Sequence, residues 1–219
     1  NSLNGIVSYD PDGAFSGTCY ITVAFDDGNT PNNIVTSEFS LILDHCENPG
    51  TWCQQAYVKA SNADSFDRFG YSVSISGDTV VVGAYGEGSN QTTITNGATA
   101  SADISSGYSG AAYIYKRTGN IWIQEAYLKA SNNGASDHFG YSVSVDSDTA
   151  IVGAKYEDSN QTIITNGTTA SADNSSSSSG AAYIYKRTGS TWAQEAYLKA
   201  SNNGVSDYFG STLSISGDT

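Results

Sequence analysis

The chain has 219 residues with 22 acidic and 9 basic side chains, a formal net charge of −13, and only 14% charged residues in all. Such a surface repels phosphate and carries no basic stripe, which excludes nucleic acid as a partner, and no stretch reaches the roughly 18 apolar residues of a membrane span. Ser, Thr, Asn and Gly dominate alongside 15 tyrosines, a mixture suited to antiparallel β-structure with polar loops.

Residues 1–50 differ from the rest. Cys19-Tyr-Ile-Thr-Val-Ala-Phe25 alternates, Asp26-Asp27-Gly28-Asn29 turns, and Ser37-Glu-Phe-Ser-Leu-Ile-Leu43 alternates again, which predicts strand, turn, strand. With Tyr9-Asp-Pro-Asp-Gly13 ahead of it, this stretch resembles half of a cadherin-like or Ig-like β-sandwich module. Turn chemistry is the first reading of Asp10, Asp12, Asp26 and Asp27. The resemblance makes them calcium candidates as well, the one cofactor the sequence suggests. The three cysteines lie in the first quarter, where an extracellular chain is expected to form one disulfide. Cys46–Cys53 clamps the junction at Asn48-Pro49-Gly50, whereas Cys19–Cys46 staples two neighbouring strands, and the sequence leaves both pairings open. With no methionine and no signal peptide, the sequence reads as a processed or excerpted chain.

From Trp52 onward the chain repeats. Trp52, Trp122 and Trp192 stand 70 residues apart and their surroundings recur at that spacing, which divides the chain into repeats at 51–121 and 122–191 and a partial third at 192–219. Each repeat reads as four strands. Phe69-Gly-Tyr-Ser-Val-Ser-Ile-Ser76 alternates, placing Phe69, Tyr71, Val73 and Ile75 on one face. Gly77-Asp78 turns into Thr79-Val-Val-Val-Gly-Ala84, a continuous apolar run expected of a strand buried on both sides. After a long loop come Ala111–Arg117 and, past a turn at 118–120, the more amphipathic Ile121–Lys129.

Phe69-Gly70, then Val82-Gly83-Ala84, then Gly110-Ala-Ala-Tyr-Ile-Tyr115 resemble the FG-GAP repeat, and the same elements recur at Phe139-Gly140, Gly153 and Gly180–Tyr185, with Phe209-Gly210 opening a third copy. The resemblance implies propeller-type blades of four strands, as in the ligand-binding heads of integrin α chains and in arrays on microbial surface proteins. Calcium-binding blades of that family carry an Asp-rich loop between the first two strands. Here Ser76-Gly-Asp-Thr79 and Asp146-Ser-Asp-Thr149 offer two carboxylates at most, against the roughly six to eight oxygens calcium takes, so no calcium site is carried over.

The last Asp before each Phe-Gly pair, at 67, 137 and 207, is expected to bind turn backbone. The loops at 86–109 and 156–179 hold four Asn-x-Ser/Thr sequons, at Asn90, Asn160, Asn166 and Asn174, and are expected to carry sugar. Their sparse aromatics suit glycosylation and packing better than sugar recognition. Neither His45 nor His138 recurs, and no nucleophile elbow, phosphate loop or Cys/His metal spacing is present, so the chain is expected not to be an enzyme. The whole predicts an all-β, extracellular or cell-surface protein. Its expected role is structural or adhesive, as a building block of an appendage, filament or matrix that pairs with copies of itself or other matrix proteins through sheet edges and loops. A closed propeller head recognising a protein or glycan is the alternative, and a polysaccharide-active enzyme a third.

Overall fold

The computed structural model describes residues 54–217 in full, together with the backbone of strands β1 (Leu3–Ser8), β2 (Thr18–Val23) and β3 (Phe39–Leu41). Those three form a four-stranded sheet in the order β1-β2-β3-β4 with β4 (Ala56–Val58). The side chains of Asp10, Asp12, Asp26, Asp27, Cys19, Cys46, Cys53 and Trp52 lie outside the described residues, and with them the calcium and disulfide expectations.

Two five-stranded antiparallel sheets follow, and the described residues contain no helix. The first holds β5 (Ser72–Ser76), β6 (Thr79–Ala84), β7 (Thr95–Asn96), β8 (Ala111–Thr118) and β9 (Ile121–Leu128). The second repeats it with β10 (Phe139–Asp146), β11 (Thr149–Ala154), β12 (Thr165–Asn166), β13 (Ala181–Thr188) and β14 (Thr191–Leu198). This is an all-β, propeller-like tandem of blades.

Four strands of each blade fall where the alternation predicts. The fifth does not: the long loop sends a two-residue strand to the outer edge, pairing Thr95 with Tyr127 and Asn96 with Ala126, and two residues are too few to show a period. The Trp strand that opens each sequence repeat lies fourth in chain order among the main strands of its sheet, so sequence repeat and sheet are out of phase.

Every residue of β6 and of β11 is buried, because each sheet packs on two faces. Val80, Val82, Tyr113, Tyr115 and Tyr127 face Val58, Ala60 and Phe69, while Val81, Ile114 and Leu128 share a core with Phe139, Val143, Val145, Tyr183, Tyr185 and Trp192 of the second blade. Alternation along the strand thus feeds both interfaces.

The Phe-Gly and Gly-Ala elements set the spacing between blades. Phe69 and Phe139, 3% and 0% exposed, meet paired tyrosines edge-on: Tyr113 and Tyr115 in the first blade, Tyr183 and Tyr185 in the second. A Cβ at Gly83 would overlap the Gly140 carbonyl oxygen and Ser72 Oγ, and one at Gly153 would overlap the Gly210 carbonyl, so glycine lets consecutive blades touch backbone to backbone. Gly70, Gly140 and Gly210 share φ values of +86°, +83° and +81°. The polar face of each first strand completes the junction: Ser72 Oγ donates to Gly140 O at 2.9 Å and Ser142 Oγ to Gly210 O at 2.6 Å, while Ser74 Oγ accepts from Val145 N at 3.0 Å and Ser144 Oγ from Ile215 N at 3.1 Å.

Candidate ligand-binding face

A tyrosine cluster forms at the end of the blades where the long loops and the links between blades lie. Tyr71 was expected in line with Val73 and Ile75, yet positive φ at Gly70 turns the chain there, and in the second blade, where Tyr141 holds the equivalent place, Gly140 has positive φ and the register shifts between Phe139 and Ser142. Their rings lie instead against the loop ends. Tyr71 packs on Tyr85 at 4.5 Å and on Tyr141 at 5.0 Å, Tyr85 on His138 at 4.9 Å, and His138 on Tyr108 at 5.7 Å and Tyr156 at 4.7 Å. Tyr156 meets Tyr208 at 5.5 Å, so the rings run continuously across both junctions. Tyr71, Tyr108 and Tyr208 remain 38%, 42% and 39% exposed.

Lys155 stands in this cluster, its ammonium 4.6, 5.0 and 5.3 Å from the ring centres of Tyr141, Tyr156 and Tyr208. A hydrogen bond from Tyr71, with Lys155 alongside, draws the Tyr141 hydroxyl below its usual range. Burial, then Lys155, pushes His138 down from 6.5 to about 4, which keeps it neutral at physiological pH.

Behind this face each blade buries one ion pair. Lys129 Nζ reaches Glu87 Oε2 at 2.9 Å, Ser109 Oγ at 2.9 Å and the Gly110 carbonyl at 2.6 Å, and Lys199 does the same with Glu157 at 2.8 Å, Ser179 at 2.7 Å and Gly180 at 2.7 Å. Both lysine side chains are fully buried, and burial lowers the pKa of Lys129. These pairs pin the root of each long loop to the end of the outer main strand. In a chain with so few charges, the recurrence of Glu87 as Glu157 and Lys129 as Lys199 was the signal sequence reasoning passed over.

Asp64, Asp67, Glu87 and Asp103 line a cleft of about 340 Å³ beside the first pair. Burial, then the Glu87 charge among the unfavourable influences, raises Asp67 from 3.8 to about 7, and burial with the Glu157 charge raises Asp137 likewise. Asp67, Asp137 and Asp207 each accept a backbone N–H three residues upstream, at 2.8, 2.9 and 2.7 Å, which is the turn chemistry expected of them. Among the described residues no group of three or more His, Cys, Asp or Glu side chains is placed to hold a metal. At the short turns, Asp78 and Asp148 pair with Arg117 and Arg187, and Asp146 accepts from Ser76 and the Gly217 N–H.

The sequon residues lie away from the rings along the loops. Asn90, Asn160 and Asn174 are exposed. The backbone N–H groups of the first two are held by Asp103 at 2.8 Å and Asp173 at 3.1 Å. Asn166 belongs to β12. Of the repeated tryptophans, Trp122 is half-buried and donates to Gln55 at 3.0 Å, and Trp192, 1% exposed, donates to Glu125 at 2.9 Å. Phe209 and Gly210 cap the second junction.

The sequence profile of the FG-GAP repeat matches residues 52–115 and 122–185. No curated protein shows significant similarity to the chain. FG-GAP domains are generally non-enzymatic, propeller-type units, often extracellular and adhesive or ligand-binding. With both full repeats matched and both folded as propeller-like blades, the chain belongs to the FG-GAP repeat family.

Proposed function

We propose that this is a non-enzymatic, extracellular adhesive protein that binds a protein or glycan through the tyrosine face. The single observation behind this reading is the band of rings from Tyr71 to Tyr208, with three of them partly exposed. Solvent-facing aromatics of this kind supply contact area at low entropic cost, and a cluster of them on one surface is a mark of recognition. The middle of each long loop is poor in aromatics; strand ends and loop ends, the latter at Tyr108 and Tyr156, contribute the rings, which moves the weight from a purely structural role to ligand binding. Binding of the purified chain to arrays of glycans and matrix proteins tests this. Tyr71→Ala, Tyr108→Ala and Tyr208→Ala together are expected to weaken any specific interaction at least tenfold without lowering the melting temperature by more than a few degrees. Unchanged binding by the triple variant overturns the reading.

The second reading, a building block of a filament or matrix, is favoured by the blade edges. Hydroxyls and amides of one blade bind the backbone of the next at fixed repeat positions, a pattern that extends to any further copy.

A further inference from the structure

Asn96 closes the outer junction between the blades. Its Oδ1 accepts from the Trp192 N–H at 2.8 Å and its Nδ2 donates to the Trp192 carbonyl at 3.2 Å, so one side-chain amide pairs with both backbone groups of a residue 96 positions away. Glu125 completes the contact, accepting from the Trp192 indole at 2.9 Å and from Arg187 at 3.3 Å. The trailing edge of the first blade is therefore an amide and a carboxylate, and the leading edge of the second is an indole and a guanidinium.

Seventy residues on, the same trailing edge recurs as Asn166 and Glu195. Both are exposed, and neither side chain has a hydrogen-bond partner among the described residues. Unlike Asn96, Asn166 stands in a sequon, Asn166-Gly167-Thr168, and Thr168 is exposed too.

We propose that Asn166 and Glu195 form a docking edge for the Trp-bearing strand of one further FG-GAP repeat and the arginine on the strand beside it, and that an N-linked sugar on Asn166 closes that edge. The occupant is argued from continuity with the existing junction, where identical residues hold such a strand. The inference rests on the assembly reading above and not on the tyrosine face. The closing step is ordinary glycosyl transfer: Nδ2 gains a bond to the anomeric carbon of a diphosphate-activated oligosaccharide and loses a proton, while the sugar–phosphate bond breaks and the diphosphate leaves. In a trans amide the new carbon lies on the same side as Oδ1. That is the position of the N–H that a two-point clasp uses, so the sugar removes the donor and fills the slot. Asn90 and Asn160, whose side chains take no part in the junction, carry sugar without this consequence.

Thr219 aligns with Thr149, so appending a second copy of residues 150–198 after it builds a third blade from the chain's own sequence. In a host that does not glycosylate, Asn166→Ala is expected to lower the melting temperature of the extended chain by about 2–6 °C, the same fall expected of Asn96→Ala, and to leave the unextended chain unchanged. In a glycosylating host, sugar at Asn166 is expected to strip the appended strands of hydrogen-exchange protection and Thr168→Ala to restore it, with Asn90→Ala neutral throughout. The docking edge is overturned if Asn166→Ala is silent in the extended chain while Asn96→Ala is costly, or if the appended strands never gain protection. The closing role is overturned if Asn166 takes no sugar, or takes it with no loss of protection. None of these readouts depends on ligand binding, so their failure is distinct from failure of the tyrosine face.

Discussion

Replacing Lys129 with methionine keeps the length of the side chain and removes its charge, leaving Glu87, whose side chain is only 2% exposed, with no cation beside it. The ammonium makes three hydrogen bonds, and without it the Glu87 carboxylate keeps only Asn62 at 3.2 Å and the Ser89 N–H at 3.1 Å, both on Oε1. Breaking a buried pair from one side costs about 3–5 kcal/mol, because the remaining charge must stay desolvated or take up a proton. For a chain of this size that is a fall of roughly 6–20 °C in melting temperature. Adding Glu87→Gln removes the stranded charge and is expected to recover more than half of the loss. Thermal and urea melts of wild type, both single variants and the double variant give the coupling energy, and hydrogen exchange shows whether the loosened amides are those of the long loop and β9. A Lys129→Met cost below about 1 kcal/mol, or a double variant no better than the single, refutes the view that this pair anchors the loop.

Gly83→Ala is expected to cost at least about 3 kcal/mol, since the new methyl meets backbone of the next blade. Gly88→Ala, whose nearest neighbour is Ile104 Cα at 3.5 Å, should be close to neutral; denaturant midpoints compare them. Ser142→Ala removes the 2.6 Å bond to Gly210 O and is expected to cost about 1 kcal/mol, read as faster exchange of amides 209–217. Between about pH 4 and 7 the folded chain keeps protons on Asp67 and Asp137, raised from 3.8 to about 7, that the unfolded chain has released. Over nearly the same window His138, lowered from 6.5 to about 4, has released one that the unfolded chain keeps. Folding therefore takes up about one proton net, and stability falls as pH rises through that window by up to about 1.4 kcal/mol per unit. Asp67→Asn with Asp137→Asn leaves only the histidine and should reverse the slope; urea midpoints at pH 4.5, 5.5 and 6.5 decide it.

Much of the blade was legible in one dimension. Alternation from Ser72 to Ser76 sets Val73 and Ile75 on the apolar core and Ser72 and Ser74 on the backbone of the next blade, the run from Thr79 to Ala84 is buried throughout, and a side-chain period of two survives in any sequence that builds such a sheet. Phe69-Gly70 and Val82-Gly83-Ala84, recurring after 70 residues, carried the family, because Gly83 meets the backbone of the next blade and Gly70 holds a φ of +86°. The tyrosine face was not legible. Tyr71 has the spacing of a core residue, and only the irregular turn at Gly70 takes its ring out of line with Val73.

By itself, then, the sequence determined what recurs locally: the strands, the short turns, the 70-residue unit and the acidic, β-rich character of the chain. Tertiary structure alone decided what joins distant positions. Glu87 meets Lys129 across 42 residues and Asn96 meets Trp192 across 96, while rings from three copies of the repeat converge on one face. Strand formation depends on neighbours a few residues apart, which leave a periodic trace, whereas these contacts depend on how one blade lies against the next, and that placement has no period to read.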